Sequence, residues 1–297
     1  MTLATLFVLC RFFHFAAVMQ IFGISVMTGL LAPKGFATGL LNQNQRLMTL
    51  SVGVAALTAV GMLAIQAGLM GNGLEDCLNL NVWLLVLTTT FGEVWRWHLL
   101  LTAIALMVWL MDWLPGRVML MFLTSTGLLF SQALIGHAAM NEGALGLLQR
   151  GNHTLHLLSA AYWFGSLLPL LGCLLYTERD ETRPYAIATL IRFSTCGHVA
   201  VALVILTGIL NSAIILQRLP TDLSSRYIQL LLVKIALVMV MTGVAIFNRY
   251  RLVPLIPTQP QLAYQRLASA TKLELVLSLV VMLLVSWFAT LSPFLIR

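Results

Sequence analysis

The chain has 297 residues, of which 60% are hydrophobic and 9% charged, and its mean hydropathy is +0.93. Ordinary globular proteins are roughly a quarter charged, so this balance excludes a soluble domain. The net charge of +7 does not point to nucleic acid, because the basic residues are scattered through short loops.

The sequence predicts an all-α integral membrane protein, one polytopic domain over residues 1–297 built as a bundle of eight transmembrane helices. The predicted spans are residues 3–31, 46–70, 95–114, 117–139, 153–176, 188–216, 227–250 and 270–292. Each is long enough to cross a hydrocarbon layer of roughly 30 Å at about 1.5 Å per residue. The first is read as a span rather than a cleavable signal, since its first basic residue, Arg11, already lies inside the apolar run. Residues 82–91 are apolar but about half the length a span needs, so they are expected at the interface or re-entering the protein. Cys10, Cys173 and Cys196 fall in or beside apolar runs and Cys77 in a loop, which is no disulfide framework.

Lysine and arginine set the orientation. The connections after spans 1, 3, 5 and 7 hold Lys34, Arg46, Arg117, Arg179, Arg183, Arg192, Arg249, Arg251, Arg266 and Lys272. Those after spans 2, 4 and 6 hold Arg150, Arg218 and Arg226, with Arg96 at the start of span 3. The first set is expected in the cytoplasm, which places both termini in the periplasm.

With that orientation, four of the six histidines share the outer level. His98 lies just inside span 3, His137 ends span 4, and His153 and His156 open span 5. His153 and His156 are three apart, so their rings leave one side of the helix. Met140 follows His137 after a short step, and Met70 ends span 2. Imidazole and thioether groups suit copper better than magnesium or calcium, which take oxygen ligands. The outer metal set is therefore His98, His137, Met140, His153 and His156. His14 and His198 count as deeper, and His14 joins both the metal set and a possible axial set. Cys10, Arg11 and His14 share a face of span 1 by spacing. Trp163 lies seven residues after His156 and would wall the site. Lys234 and Glu274 are intramembrane charges too far apart in depth to pair, and Glu274 is expected to meet Arg192 or Arg249. Arg11, Trp163, Lys234 and Glu274 are thus supporting residues. No phosphate-binding loop, G-x-S-x-G or H-E-x-x-H is present, so nucleotide and hydrolase chemistry find no support.

Several stretches carry a resemblance to the CopD family of bacterial copper-resistance membrane proteins. They are Arg11-Phe12-Phe13-His14, Thr90-Phe91-Gly92-Glu93-Val94-Trp95, Gly136-His137-Ala138, His156 to Leu167, Arg192-Phe193-Ser194, Leu210-Asn211, Leu232-Val233-Lys234 and Lys272-Leu273-Glu274. They run through nearly the whole chain in the family's order, in its stand-alone form. The resemblance implies an inner-membrane protein of copper homeostasis that moves copper from periplasm toward cytoplasm and works with a small periplasmic partner of the CopC type. Two functions follow as expectations. In the first, copper binds at His137, His153 and His156, with His98 and Met140 nearby, and passes to His14 and His198. In the second, haem b is held by axial pairs drawn from His14, His137, His156 and His198, since paired histidines on neighbouring helices are what haem ligation needs. A structural subunit without a ligand of its own is a third reading. Monomer and homodimer both stay open.

Overall fold

The computed structural model describes residues 2–136, 140–216 and 224–291. Eight long helices and one short one follow in order: α1 (Leu3–Val26), α2 (Lys34–Met70), α3 (Leu80–Val86), α4 (Thr90–Leu110), α5 (Arg117–Ala133), α6 (Gly143–Leu175), α7 (Arg183–Leu216), α8 (Arg226–Phe247) and α9 (Pro260–Phe288). Among the described residues, seven helices are long and apolar enough to cross a membrane. The eighth expected span, α5, has 17 described residues, about 25 Å at 1.5 Å per residue. The expected end of that span, with His137, lies outside the described residues. The 82–91 segment is no span: it divides into the short α3 and the first turn of α4.

Several helices begin well before their apolar runs. α2 starts at Lys34, α4 at Thr90, α6 at Gly143 and α9 at Pro260. Apolar counting misses these turns because polar residues continue a helix beyond the hydrocarbon. The starts have local causes. Thr89 accepts from the Gly92 N–H as an N-cap, and Pro260 occupies the first turn of α9, where a missing N–H costs nothing.

α1 is the central post. Its second half, from Ala17 to Val26, is buried throughout, and it packs chiefly on α2 and α6, with α5 and α9 on its other flanks. At its crossing with α6 the backbones touch. A Cβ on Gly165 would stand 1.9 Å from the Met19 carbonyl oxygen, and one on Gly23 1.9 Å from the Gly165 carbonyl carbon. Small residues allow such approach between membrane helices. Pro169 lies inside α6 and has no N–H to give the Gly165 carbonyl one turn back. Gln20 of α1 supplies the missing donor, Nε2 to Gly165 O at 2.8 Å.

The turn between α2 and α3 is tied by Asp76. Its carboxylate accepts from the Asn72 N–H at 2.6 Å and from Asn79 Nδ2 at 3.2 Å, and the Asn72 N–H first among these holds the carboxyl below its usual range. Trp83 donates to the Cys77 carbonyl at 2.8 Å in the same turn.

Gly165→Ala should cost about 1–3 kcal/mol through forced separation of the two backbones, read as a lower midpoint in thermal unfolding. Gln20→Ala should cost a similar amount by orphaning a buried carbonyl, and much of that cost should vanish in a Pro169→Ala background, where the helix supplies the donor itself. The Asp76 contribution is present above the ordinary carboxylate pKa and lost as pH falls through its lowered value. Trp83 fluorescence should therefore change on acidification, and Asp76→Asn should show the altered signal at neutral pH.

Candidate functional site

Two histidines meet inside the bundle. His14 of α1 and His98 of α4 face each other with their Nε2 atoms 2.7 Å apart, and both side chains are fully buried. Apolar counting separated them in depth. The early start of α4 removes that separation, since His98 lies about 12 Å along the helix from Thr90 at 1.5 Å per residue.

Each ring is fixed from behind. His14 Nδ1 lies 2.9 Å from Thr58 Oγ1 of α2, and His98 Nδ1 lies 2.7 Å from Ser131 Oγ of α5. A hydroxyl has one proton to give. Thr58 Oγ1 also lies 2.5 Å from the Val54 carbonyl oxygen, and Ser131 Oγ 2.8 Å from that of Leu128, so each hydroxyl has a carbonyl and a ring nitrogen within reach of its one proton. The two Nε2 atoms point at one another, and in the neutral pair one ring donates its Nε2–H to the other. A metal ion that replaces this shared proton needs both rings to carry their hydrogen on Nδ1, and the hydroxyls permit that by donating to the carbonyls and accepting from the imidazoles.

The pair is walled by aromatic rings. Trp95 stacks on His98 at 4.4 Å between centroids and 15° between planes, and Phe91 stacks on Trp95 at 5.0 Å. Trp95 donates to the Ala59 carbonyl at 3.0 Å, and Cys10 Sγ to the Thr58 carbonyl at 3.4 Å. Cys10 and His14 thus turn to the same neighbour, α2, as their spacing predicts. Arg11 does not: it sits over the Phe15 ring at 5.4 Å and lines a cavity on the adjacent face of α1.

That cavity, about 900 Å³, lies among α1, α6, α7, α8 and α9. His153, His156, Trp163 and Lys234 line it with Arg11. The two imidazoles stack with planes 12° apart and centroids 6.3 Å apart, so they do leave one side of α6. They are deeper than expected, because α6 starts at Gly143 and carries them about 15–20 Å from its first residue. His156 Nδ1 is 2.9 Å from Thr207 Oγ1, and Thr207 donates to the Leu203 carbonyl, so His156 repeats the arrangement of His14 and His98. Asn211 Nδ2 lies 3.3 Å from His153 Nδ1, and Asn152 Nδ2 donates to Asn211 Oδ1 at 2.9 Å. Lys234 is near enough to His156 to act on it electrostatically.

The remaining expected residues are dispersed. Met140 is half-exposed. His198 is exposed on α7, donates from Nδ1 to the Ser194 carbonyl at 2.7 Å and meets the Tyr250 ring edge-on; it does not join His14. Glu274 is buried and accepts from Asn248 at 3.2 Å and Trp163 at 3.4 Å, while Arg192 donates instead to the Leu31 carbonyl. Among the described residues, no three of His, Cys, Asp and Glu gather as a ready metal site. Thr58, Ser131, Thr207 and Asn152 were not anticipated. Hydroxyls on apolar helices carry no spacing signal, although an amide such as Asn152 or Asn211 at membrane depth is itself a marker of function.

Residues 1–147 match the model for the copper resistance protein D-like N-terminal domain, and residues 187–288 match copper resistance protein D. The chain is 39% identical over 293 residues to inner membrane protein YebZ of Escherichia coli (strain K12), covering 98% of this chain and 100% of that protein. This chain belongs to the copper resistance protein D family. It is also 27% identical to copper resistance protein D of Pseudomonas syringae pv. tomato, over 95% of both chains. A stretch of 109 residues is 35% identical to copper transport protein CutJ of Bacillus subtilis (strain 168), covering 36% of this chain and 20% of that one. No solved structure matches. The two CopD family models hold His14, His98, Lys234 and Glu274, and His153 and His156 fall between them.

The tautomer assignment is directly measurable. In ¹⁵N spectra of histidine-labelled protein at neutral pH, one of the two buried imidazoles should carry its hydrogen on Nε2, and added Cu(I) should move the hydrogen of both to Nδ1. Thr58→Val should release His14 from that form, and Ser131→Ala should release His98.

Proposed function

We propose that this CopD family member is a copper-homeostasis protein of the bacterial inner membrane whose copper centre is the His14–His98 pair. The single observation that supports it is the convergence of two Nε2 atoms 2.7 Å apart, on rings each backed by a hydroxyl from a different helix. Two neutral imidazoles suit a soft or borderline ion, and no carboxylate is offered that would favour magnesium or calcium. First-row metal–imidazole bonds are about 2 Å long, so a linear two-coordinate copper would part the rings by about 1 Å; an ion seated beside the pair needs less movement. The family supports copper as the cargo, since relatives carry copper resistance and copper transport in their names.

In the full reading the chain crosses the membrane eight times with both termini in the periplasm, by the loop charges already counted. Copper delivered by a periplasmic CopC-like protein is captured at His137 and Met140 and passes inward to His14–His98. His153 and His156 take a lesser part than their number suggests, because Lys234 and Arg11 share their cavity and repel a cation. Transport across the bilayer completes the cycle.

The haem alternative finds no support among the described residues. Axial ligation needs two imidazoles facing one iron; His153 and His156 stack on one helix, and His198 is exposed on α7. His137, one of the expected axial ligands, lies outside the described residues.

The test is Cu(I) titration of purified protein against a competing chelator. The unmodified chain should hold copper tightly, and His14→Ala or His98→Ala should abolish that binding. Thr58→Val keeps both ligands and should weaken affinity about 10–100-fold, the usual effect of losing a partner that orients a ligand. Unchanged affinity in both alanine variants would remove the assignment.

A further inference from the structure

The cavity beside α1 carries charge that its own walls do not balance. Among the described residues, Arg11 and Lys234 are the formal charges on its lining, and no Asp or Glu lines it. Among the described residues, neither cation has an acidic partner within ion-pair distance. Their recorded contacts are ring faces, Phe15 for Arg11 at 5.4 Å and Phe288 for Lys234 at 6.0 Å. Glu274 lines a different pocket, where it is engaged by Trp163 and Asn248. Charged side chains at membrane depth are costly unless paired, so the cavity is incomplete without negative charge.

Its shape says what brings that charge. The remaining wall is almost wholly aliphatic and aromatic, including Phe15, Val204, Leu231 and Val281. α7 and α8 hardly touch, and the residues on either side of the gap, Ile209 on α7 and Met239 on α8, are exposed apolar side chains. In a bilayer that gap opens sideways onto acyl chains. Along α8 the lining runs from Ile228 to Ile246, about 27 Å at 1.5 Å per residue, close to the thickness of the hydrocarbon layer. Lys234 lies about 12 Å along α8 from its first residue, a depth that a sideways opening makes reachable.

We propose that this cavity takes an anionic phospholipid from the surrounding membrane, with its phosphate bound by Arg11 and Lys234 and an acyl chain along the apolar wall. A neutral lipid or a quinone would fill the volume and leave both cations unbalanced. A copper ion would add a third positive charge. The assignment stands apart from the copper centre, which lies on the adjacent face of α1 and uses neither residue.

The experiment compares protein in nanodiscs of phosphatidylcholine with protein in nanodiscs that also contain phosphatidylglycerol, reading the thermal unfolding midpoint. Lipid carried through purification in mild detergent is identified in parallel by mass spectrometry. Phosphatidylglycerol should raise the midpoint of the unmodified chain and be enriched in its extract over the host membrane. Removing one cation, by Arg11→Gln or Lys234→Gln, should reduce that enrichment about fivefold, the effect of one basic residue on anionic lipid, and the double variant should lose the midpoint difference. Arg11→Lys and Lys234→Arg keep the charge and should keep the preference, which separates lipid binding from a folding defect. An equal response to phosphatidylglycerol in the double glutamine variant would overturn the proposal. So would a midpoint rise reproduced by glycerophosphate or inorganic phosphate alone, which would name a soluble anion as the occupant.

Discussion

The carbonyl of Gly165 governs how this bundle is assembled. Pro169 deprives it of a partner in its own helix, and no water is present at that depth to replace one. Gln20 reaches across from α1 to donate to it, and it reaches because Gly23 and Gly165 let the two backbones come into contact. One unsatisfied group thereby fixes the register of α1 on α6. The consequence extends along the whole helix, since α1 is rigid and buried from Ala17 to Val26. With its depth set at Gln20, His14 arrives level with Thr58 on one face and Arg11 arrives at the cavity on the adjacent one.

The histidine pair depends on the same economy of donors. Thr58 and Ser131 each spend their proton on a carbonyl of the preceding turn, a habit of hydroxyls inside helices. That local bond has a distant effect, because a hydroxyl engaged with a carbonyl can accept from an imidazole and so leave the far nitrogen to a cation. His156 and Thr207 repeat the device on α6 and α7. Three histidines on three helices are thus backed by the same chemistry. What differs is their surroundings: the facing imidazole for His14 and His98, and a cation-bearing cavity for His156.

The membrane class, the helical composition and the presence of a long apolar run for nearly every helix were legible in the sequence, because hydropathy and length leave little else possible. The family was legible too, through motifs such as Arg11 to His14 and Thr90 to Trp95. Depth was not. Helices α4 and α6 start before their apolar residues do, and a start shifted by five or ten residues moves an imidazole by about one and a half to three turns. His98 therefore reads as interfacial from hydropathy and sits fully buried against His14. The partners were hidden for a different reason. Thr58 and Ser131 are ordinary residues in apolar runs, and only the packing of α2 and α5 around α1 gives them a function. Arg11 and His14 show the limit of spacing arguments: residues three apart lie near one another on a helix, yet the boundary between two neighbouring helices can fall between them.

That boundary has an electrostatic meaning. α1 presents lone pairs to α4 through His14 and positive charge to the cavity through Arg11, less than one turn apart. In a medium of low dielectric such charge is felt over long distances. An unbalanced Arg11 would oppose any cation resting on His14, and so would Lys234 on the far wall. Placing an anion in the cavity removes that opposition without touching the imidazoles. The two proposals are separate in their residues and tests, but they converge physically. A cation centre within one turn of a partly buried arginine is more stable when that arginine is neutralised, and the bilayer itself holds the anions that can do so.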